Sequence, residues 1–89
     1  MYAVKQIIKV EPYQLILKFN NGETRMVDLG QKLMQWSQTK NSIYRQLLNP
    51  TYFMSVKMMT DWDTVCWDNG IDFCPDTLYS WGYTLKRIN

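Results

Sequence analysis

The sequence predicts an α+β domain: an antiparallel sheet built from a first strand and two hairpins, with two or three short helices. Three observations carry that expectation. Two Asn-Gly pairs, Asn21-Gly22 and Asn69-Gly70, each lie between apolar or alternating segments, which is the strongest short-range hairpin signal. Leu29, Leu33 and Trp36 recur at helical spacing behind an aspartate, Asp28, that can cap them. No linker, internal repeat or low-complexity tract interrupts the 89 residues, so one domain spanning 1–89 is expected.

In order along the chain, residues 3–10 read as a first strand through Ala3-Val4, Ile7-Ile8 and Val10, closed by Glu11-Pro12. The first hairpin occupies 13–28. With Asn21-Gly22 as a two-residue loop, Phe19 falls opposite Thr24, Leu17 opposite Met26 and Ile16 opposite Val27. The core face is then Leu15, Leu17, Phe19 and Met26, and Lys18 and Arg25 confront each other on the other side. Asp28 caps a helix from Leu29 to about Gln38, weakened by Gly30 in its first turn. Thr39-Lys40-Asn41 is a polar break. Ser42 then caps a second short helix, Ile43 to Leu48, which Asn49-Pro50 ends. Met54 to Met59 begins the second hairpin, turned by Asp61-Trp62-Asp63. Thr64 to Asp68 and Ile71 to Phe73 flank Asn69-Gly70, and Asp76 caps a last helix, Thr77 to Trp81, stopped by Gly82. Trp67 and Phe19, each just ahead of an Asn-Gly turn, are expected in one core.

Composition excludes several function classes. The chain is 46% hydrophobic, with four Trp, six Tyr and three Phe, which suffices for a packed core. No apolar run reaches the roughly 18 residues of a membrane span. Met1-Tyr2-Ala3-Val4-Lys5-Gln6 lacks the pattern of a secretory signal, so a cytoplasmic location is expected. Cys66 and Cys74 flank the Asn69-Gly70 turn. In a reducing compartment they read as packed thiols, with a disulfide as the alternative.

Histidine is absent, which removes nucleophilic triads and most general acid–base machinery. Asp61, Asp63 and Asp72 are the carboxylates that can gather round a hard cation, but the segment does not match a twelve-residue calcium loop. Turn, strand-edge and cap roles account for Asp68, Asp72 and Asp76. No glycine-rich phosphate cradle precedes a helix. The reading is therefore of a non-enzyme without cofactor or metal.

Phe19, Asn21-Gly22-Glu23, Asp28-Leu29, Leu48-Asn49-Pro50 with Phe53, the block from Trp67 to Phe73, and Leu78-Tyr79 form an ordered set. With this spacing the chain resembles the bacterial family catalogued as domain of unknown function 2442 (DUF2442), from about Val4 to Tyr79. Asp61-Trp62-Asp63 departs from the pattern by lacking a glycine often found at that turn. The resemblance implies no assigned activity. Members are sometimes joined to a helix-turn-helix domain, which this sequence lacks, and are often encoded beside small toxin-like proteins. It thus implies an antitoxin-type or accessory role.

Charge is unevenly spread. Residues 1–60 hold eight Lys/Arg and three Asp/Glu, whereas residues 61–76 hold five aspartates and no base. The strand face carrying Lys5, Ile7, Lys9, Ile16, Lys18, Arg25 and Val27 mixes apolar and basic residues, as protein contact surfaces do. Trp36, Trp62 and Trp81 are candidate anchors for a partner. The expected function is a protein-interaction module, a homodimer or the partner of another small bacterial protein. The alternative is a nucleic-acid-binding regulator using Lys5, Lys9, Lys18 and Arg25. It ranks second because no aromatic stacking platform accompanies those bases.

Overall fold

Alternation in β2, Gln14–Phe19, sends Leu15, Leu17 and Phe19 to one face, and the computed structural model, which describes residues 1–85, buries all three. On one side β2 pairs antiparallel with β1, Val4–Glu11, and on the other with β3, Thr24–Asp28. The chain is α+β, as the sequence predicts. The helices are α1 (Gly30–Trp36), a 3-10 helix (Ile43–Leu48), α2 (Pro50–Phe53), a short 3-10 turn (Thr60–Trp62) and α3 (Pro75–Trp81). The second hairpin is a separate two-stranded sheet, β4 (Lys57–Met59) with β5 (Thr64–Cys66). The fourth place in the main sheet, order β1-β2-β3-β6, goes instead to β6, Tyr83–Thr84.

The first turn corrects the expected register. Gly22 N–H donates to the Phe19 carbonyl at 3.0 Å and Phe19 N–H to the Glu23 carbonyl at 2.9 Å, so the loop has three residues, Asn20-Asn21-Gly22, rather than two. Gly22 takes the left-handed conformation, φ 86°, that such a loop needs at its last position. Pairing therefore slips by one: Lys18 faces Thr24, Leu17 faces Arg25, Ile16 faces Met26 and Leu15 faces Val27. A one-residue slip exchanges the faces of the returning strand. Val27, not Met26, enters the core, and Lys18 does not confront Arg25.

Two register shifts in β1, between Val4 and Gln6 and between Ile7 and Lys9, let Val4, Ile7 and Val10 all meet core-facing partners of β2. That three-residue spacing replaces the two-residue period of a regular strand. Ile7 therefore packs toward the core, beside Leu17.

The helices and the small sheet cover this inner face. Leu29, Leu33, Leu47, Phe53, Val65, Trp67 and Leu78 join Leu15, Leu17, Phe19 and Val27 in one buried cluster. Trp67 is 1% exposed, and its indole N–H donates to the Phe53 carbonyl at 3.0 Å, so its one polar atom is satisfied. Phe19 and Trp67 share this core, as expected.

Helix ends follow local chemistry. Asp28 does not cap α1 as expected: the helix begins at Gly30 with Leu29 at its N-cap, and Asp28 Oδ1, one residue further out, accepts the Gly30 N–H at 2.9 Å. α1 stops at Trp36 rather than near Gln38, because side chains satisfy its last carbonyls: Ser37 Oγ donates to Met34 and Ser42 Oγ to Trp36. Asn49 does not merely end a helix. Its Oδ1 accepts from Thr51 and Tyr52, starting α2 with Pro50 in the first turn. Asp63 adopts φ 52° at the turn that lacks a glycine, a conformation aspartate tolerates better than most residues. Asp76 is not the cap of α3. The helix starts at Pro75, and Asp76 Oδ1 accepts the Tyr2 N–H at 2.7 Å, fastening the N-terminal segment. Gly82 ends the helix as expected, for a packing reason: a Cβ there would lie 3.1 Å from Arg25 Cβ and 3.2 Å from Val27 Cγ2.

Candidate functional site

Side chains that alternate away from the core lie on a sheet face that no helix covers among the described residues. Three rows cross it. The middle row runs through all four strands as Lys9, Ile16, Met26 and Tyr83, each paired with the next. Ile16 and Met26 are half-buried by their neighbours, Tyr83 is exposed, and its hydroxyl reaches Met26 Sδ at 3.6 Å. Toward the first turn lies Gln6, Lys18 and Thr24. Toward the other end lies Glu11, Gln14 and Asp28. Gln14 Nε2 donates to Asp28 Oδ2 at 3.2 Å, and Lys9 pairs with Glu11 at 2.9 Å. Ile8, displaced by the shift in β1, adds an exposed apolar residue nearby.

The strand residues expected on one contact face are thus divided. Lys9, Ile16 and Lys18 share the open face. Ile7 and Val27 belong to the core side, Val27 being fully buried. Arg25 also turns inward, donating to the carbonyls of Tyr79 at 3.2 Å and Gly82 at 3.0 Å, and its guanidinium stacks 3.7 Å over the Tyr79 ring. Lys5 sits 3.9 Å from Asp63. The four bases therefore do not form a row.

The tryptophans divide as well. Trp36 and Trp81 pack against the core through Phe73, with ring centroids 5.9 and 5.8 Å away. Trp62 is 73% exposed and borders a notch of about 240 Å³ with Thr64, Asp72, Phe73, Cys74 and Pro75. Both cysteines are free thiols, Cys66 buried and Cys74 exposed. Among the described residues no group of three or more His, Cys, Asp or Glu side chains is placed to hold a metal ion, and no helix is long and apolar enough to cross a membrane.

A second polar cluster lies on the inner side of the sheet's β6 edge. Glu23 accepts from the Tyr79 hydroxyl, from Thr84 Oγ1 at 2.7 Å and from Asn21 Nδ2 at 2.6 Å, and it pairs with Arg25 at 3.2 Å. These donors, Tyr79 foremost, hold the Glu23 carboxyl down to about 2, and the bond to the Glu23 carboxylate in turn pushes the Tyr79 phenol up. Tyr2 stacks on Tyr79 at 3.5 Å. The cluster joins the N-terminal segment, the first turn, α3 and β6. Its internal bonds explain it as a clasp. The remaining perturbed group, Lys57, is raised by its hydrogen bond and ion pair with Asp68.

Met26 and Tyr83 are open-face residues that the sequence did not reveal. Met26 was hidden by the register slip. Tyr83 stands in a two-residue strand, too short for alternation to be read. The fold and this face define a small α+β domain whose antiparallel sheet carries its helices on one side and, among the described residues, leaves the other open. The chain belongs to the family described as Protein of unknown function (DUF2442), whose model matches residues 4–84. No curated protein and no solved structure matches it.

Proposed function

We propose that the chain is a non-enzymatic, cytoplasmic protein-interaction module that docks through the open face of its sheet. Its partner is a second copy or another small bacterial protein, in the antitoxin-type or accessory role that the resemblance implies. The observation that supports this is the row Lys9, Ile16, Met26 and Tyr83, whose last three members form an apolar stripe across β2, β3 and β6 between rows that are mainly polar. An apolar centre with a polar rim is the anatomy of a contact surface. The absence of histidine from the chain favours binding over catalysis.

Nucleic acid is the weaker alternative. Arg25 is committed to carbonyls, Lys9 to Glu11, and Lys5 lies beside Asp63, which leaves Lys18 as the cation on the open face without an ion pair among the described residues. A phosphate backbone needs several such cations. The test passes nuclease-treated host lysate over the immobilised chain and over its Met26→Glu variant. The expected result is a protein retained by the native chain and lost from the variant. Nucleic acid retained from untreated lysate near physiological salt, with no protein dependent on Met26, would reverse the order of the two readings.

A further inference from the structure

We infer that the open sheet face is complementary to itself, and that its occupant is a second copy of this chain packed face to face about a two-fold axis lying along the row Lys9, Ile16, Met26 and Tyr83. This rests on the reading of that face as a contact surface and specifies what it meets. The order of the three rows along the strands supports it. On β2, Gln14, Ile16 and Lys18 mark the rows in turn. The Gln14 row carries the carboxylates of Glu11 and Asp28, the Ile16 row is mainly apolar, and the Lys18 row carries a cation between Gln6 and Thr24.

A half-turn about the middle row brings the second sheet face to face with the first and reverses the strand direction. Ile16 then meets Ile16, and Met26 meets Met26. Lys18 lies over Gln14 of the second copy, with Glu11 and Asp28 one strand away on either side. Strands are spaced about 4.8 Å apart, within reach of a lysine side chain. The same operation delivers the contact twice, because a two-fold interface is isologous. Each Lys9 keeps its own Glu11 at 2.9 Å, which limits repulsion where the two β1 strands face each other. A half-turn about an axis parallel to the strands would instead set like rows on like rows, Lys18 on Lys18. The charge order therefore selects the first axis.

Magnitude limits the affinity. Three strand gaps by two pleat repeats give a footprint about 14 Å across in each direction. Such a face, about 200 Å² on each copy, is smaller than standard specific interfaces, so the dimer should be weak and reversible, with a Kd of about 100 μM.

Charge exchange tests the geometry. Sedimentation equilibrium on Lys18→Glu alone and Glu11→Lys alone should each show a dimer weakened about tenfold, because every substitution acts at two symmetric contacts. Both residues are exposed, so the fold should tolerate either change. Mixing the two variants should restore most of the native affinity, since one copy keeps its Lys9–Glu11 pair. In the mixed dimer the carboxylate introduced by K18E on one copy meets the ammonium introduced by E11K on the other, while the second contact remains native. The doubly exchanged chain should recover less, because both of its copies lose the Lys9–Glu11 pair that limits repulsion between the facing β1 strands. A Lys40→Glu control, in the loop after α1, should leave association unchanged.

A native chain that stays monomeric at several hundred micromolar overturns the inference. So does a dimer indifferent to both exchanges, or one that the mixture does not restore. In each of those cases loss of a host protein from the Met26→Glu variant would still support a contact face with a different occupant.

Discussion

The turns at Phe19–Glu23 and Trp67–Ile71 have the same backbone and lead to different structures. In both, an aromatic N–H donates to the carbonyl four residues on, at 2.9 Å, and the glycine N–H donates back to the aromatic carbonyl at 3.0 Å. Gly22 and Gly70 have φ 86° and 92°, and Asn21 and Asn69 each accept the N–H two residues ahead, at 3.0 and 3.1 Å. After the first turn, Glu23 enters a polar cluster and Thr24–Asp28 continues as a strand of the main sheet. After the second, Ile71 enters the core at 6% exposed, and pairing lasts for one bridge, Cys66 with Asp72, before Pro75 begins α3. Turn geometry is thus set by Asn-Gly and its neighbours. The residues just past the glycine decide whether the turn serves a sheet or a core.

The largest effects should come from the aromatic residue that opens each turn. Trp67→Ala and Phe19→Ala should each cost about 3–5 kcal/mol in urea unfolding, because both are 1% exposed in the same cluster. A large difference between them would mean that the two turns do not anchor one core. The residue after the glycine should separate the turns. Ile71→Ala should cost about 2–5 kcal/mol, as a buried aliphatic does, and Glu23→Ala far less. Equal losses would contradict the division into core turn and sheet turn.

The glycines should behave alike. A Cβ at Gly22 or Gly70 meets nothing within 4 Å, so Ala costs only the left-handed backbone, about 1–2 kcal/mol at each site. Asn, which tolerates that conformation, should cost less than Ala at both. An Ala substitution that is harmless at either site would show that the loop can adopt another geometry.

The smallest effect concerns pH. The Glu23 carboxyl is held down to about 2 in the folded chain from an ordinary value of 4.5, chiefly by the Tyr79 hydroxyl. Its contribution to stability is therefore complete above pH 4.5 and is lost as pH falls toward about 2. Thermal melts should show the native chain's advantage over Glu23→Gln shrinking across that window and level above it. An advantage that persists unchanged to pH 2 would place the effect elsewhere.

Much of this architecture is legible in the residues. The Asn-Gly pairs mark both turns, Leu29, Leu33 and Trp36 mark the first helix, and Ser42 marks the 3-10 helix. What the sequence hides is loop length. Asn21-Gly22 fits a two- or a three-residue loop, and only hydrogen-bond closure distinguishes them. That single residue places Val27 and Arg25 inward and Met26 outward, and so redraws the candidate site. Ile7 departs from its expected face for a related reason, because the shifts in β1 break the two-residue period. Tertiary contacts are equally unreadable: Asp76 looks like a cap, and nothing local shows that it bonds Tyr2.

The open face is tested most directly by following ¹⁵N and side-chain methyl shifts through a dilution series of the native chain. Concentration-dependent changes should gather at Ile16, Lys18, Met26 and Tyr83, while Leu15, Leu17, Val27 and the notch beside Trp62 stay still. Changes centred on Trp62 and Pro75, or no changes up to several hundred micromolar, would contradict self-association through this face.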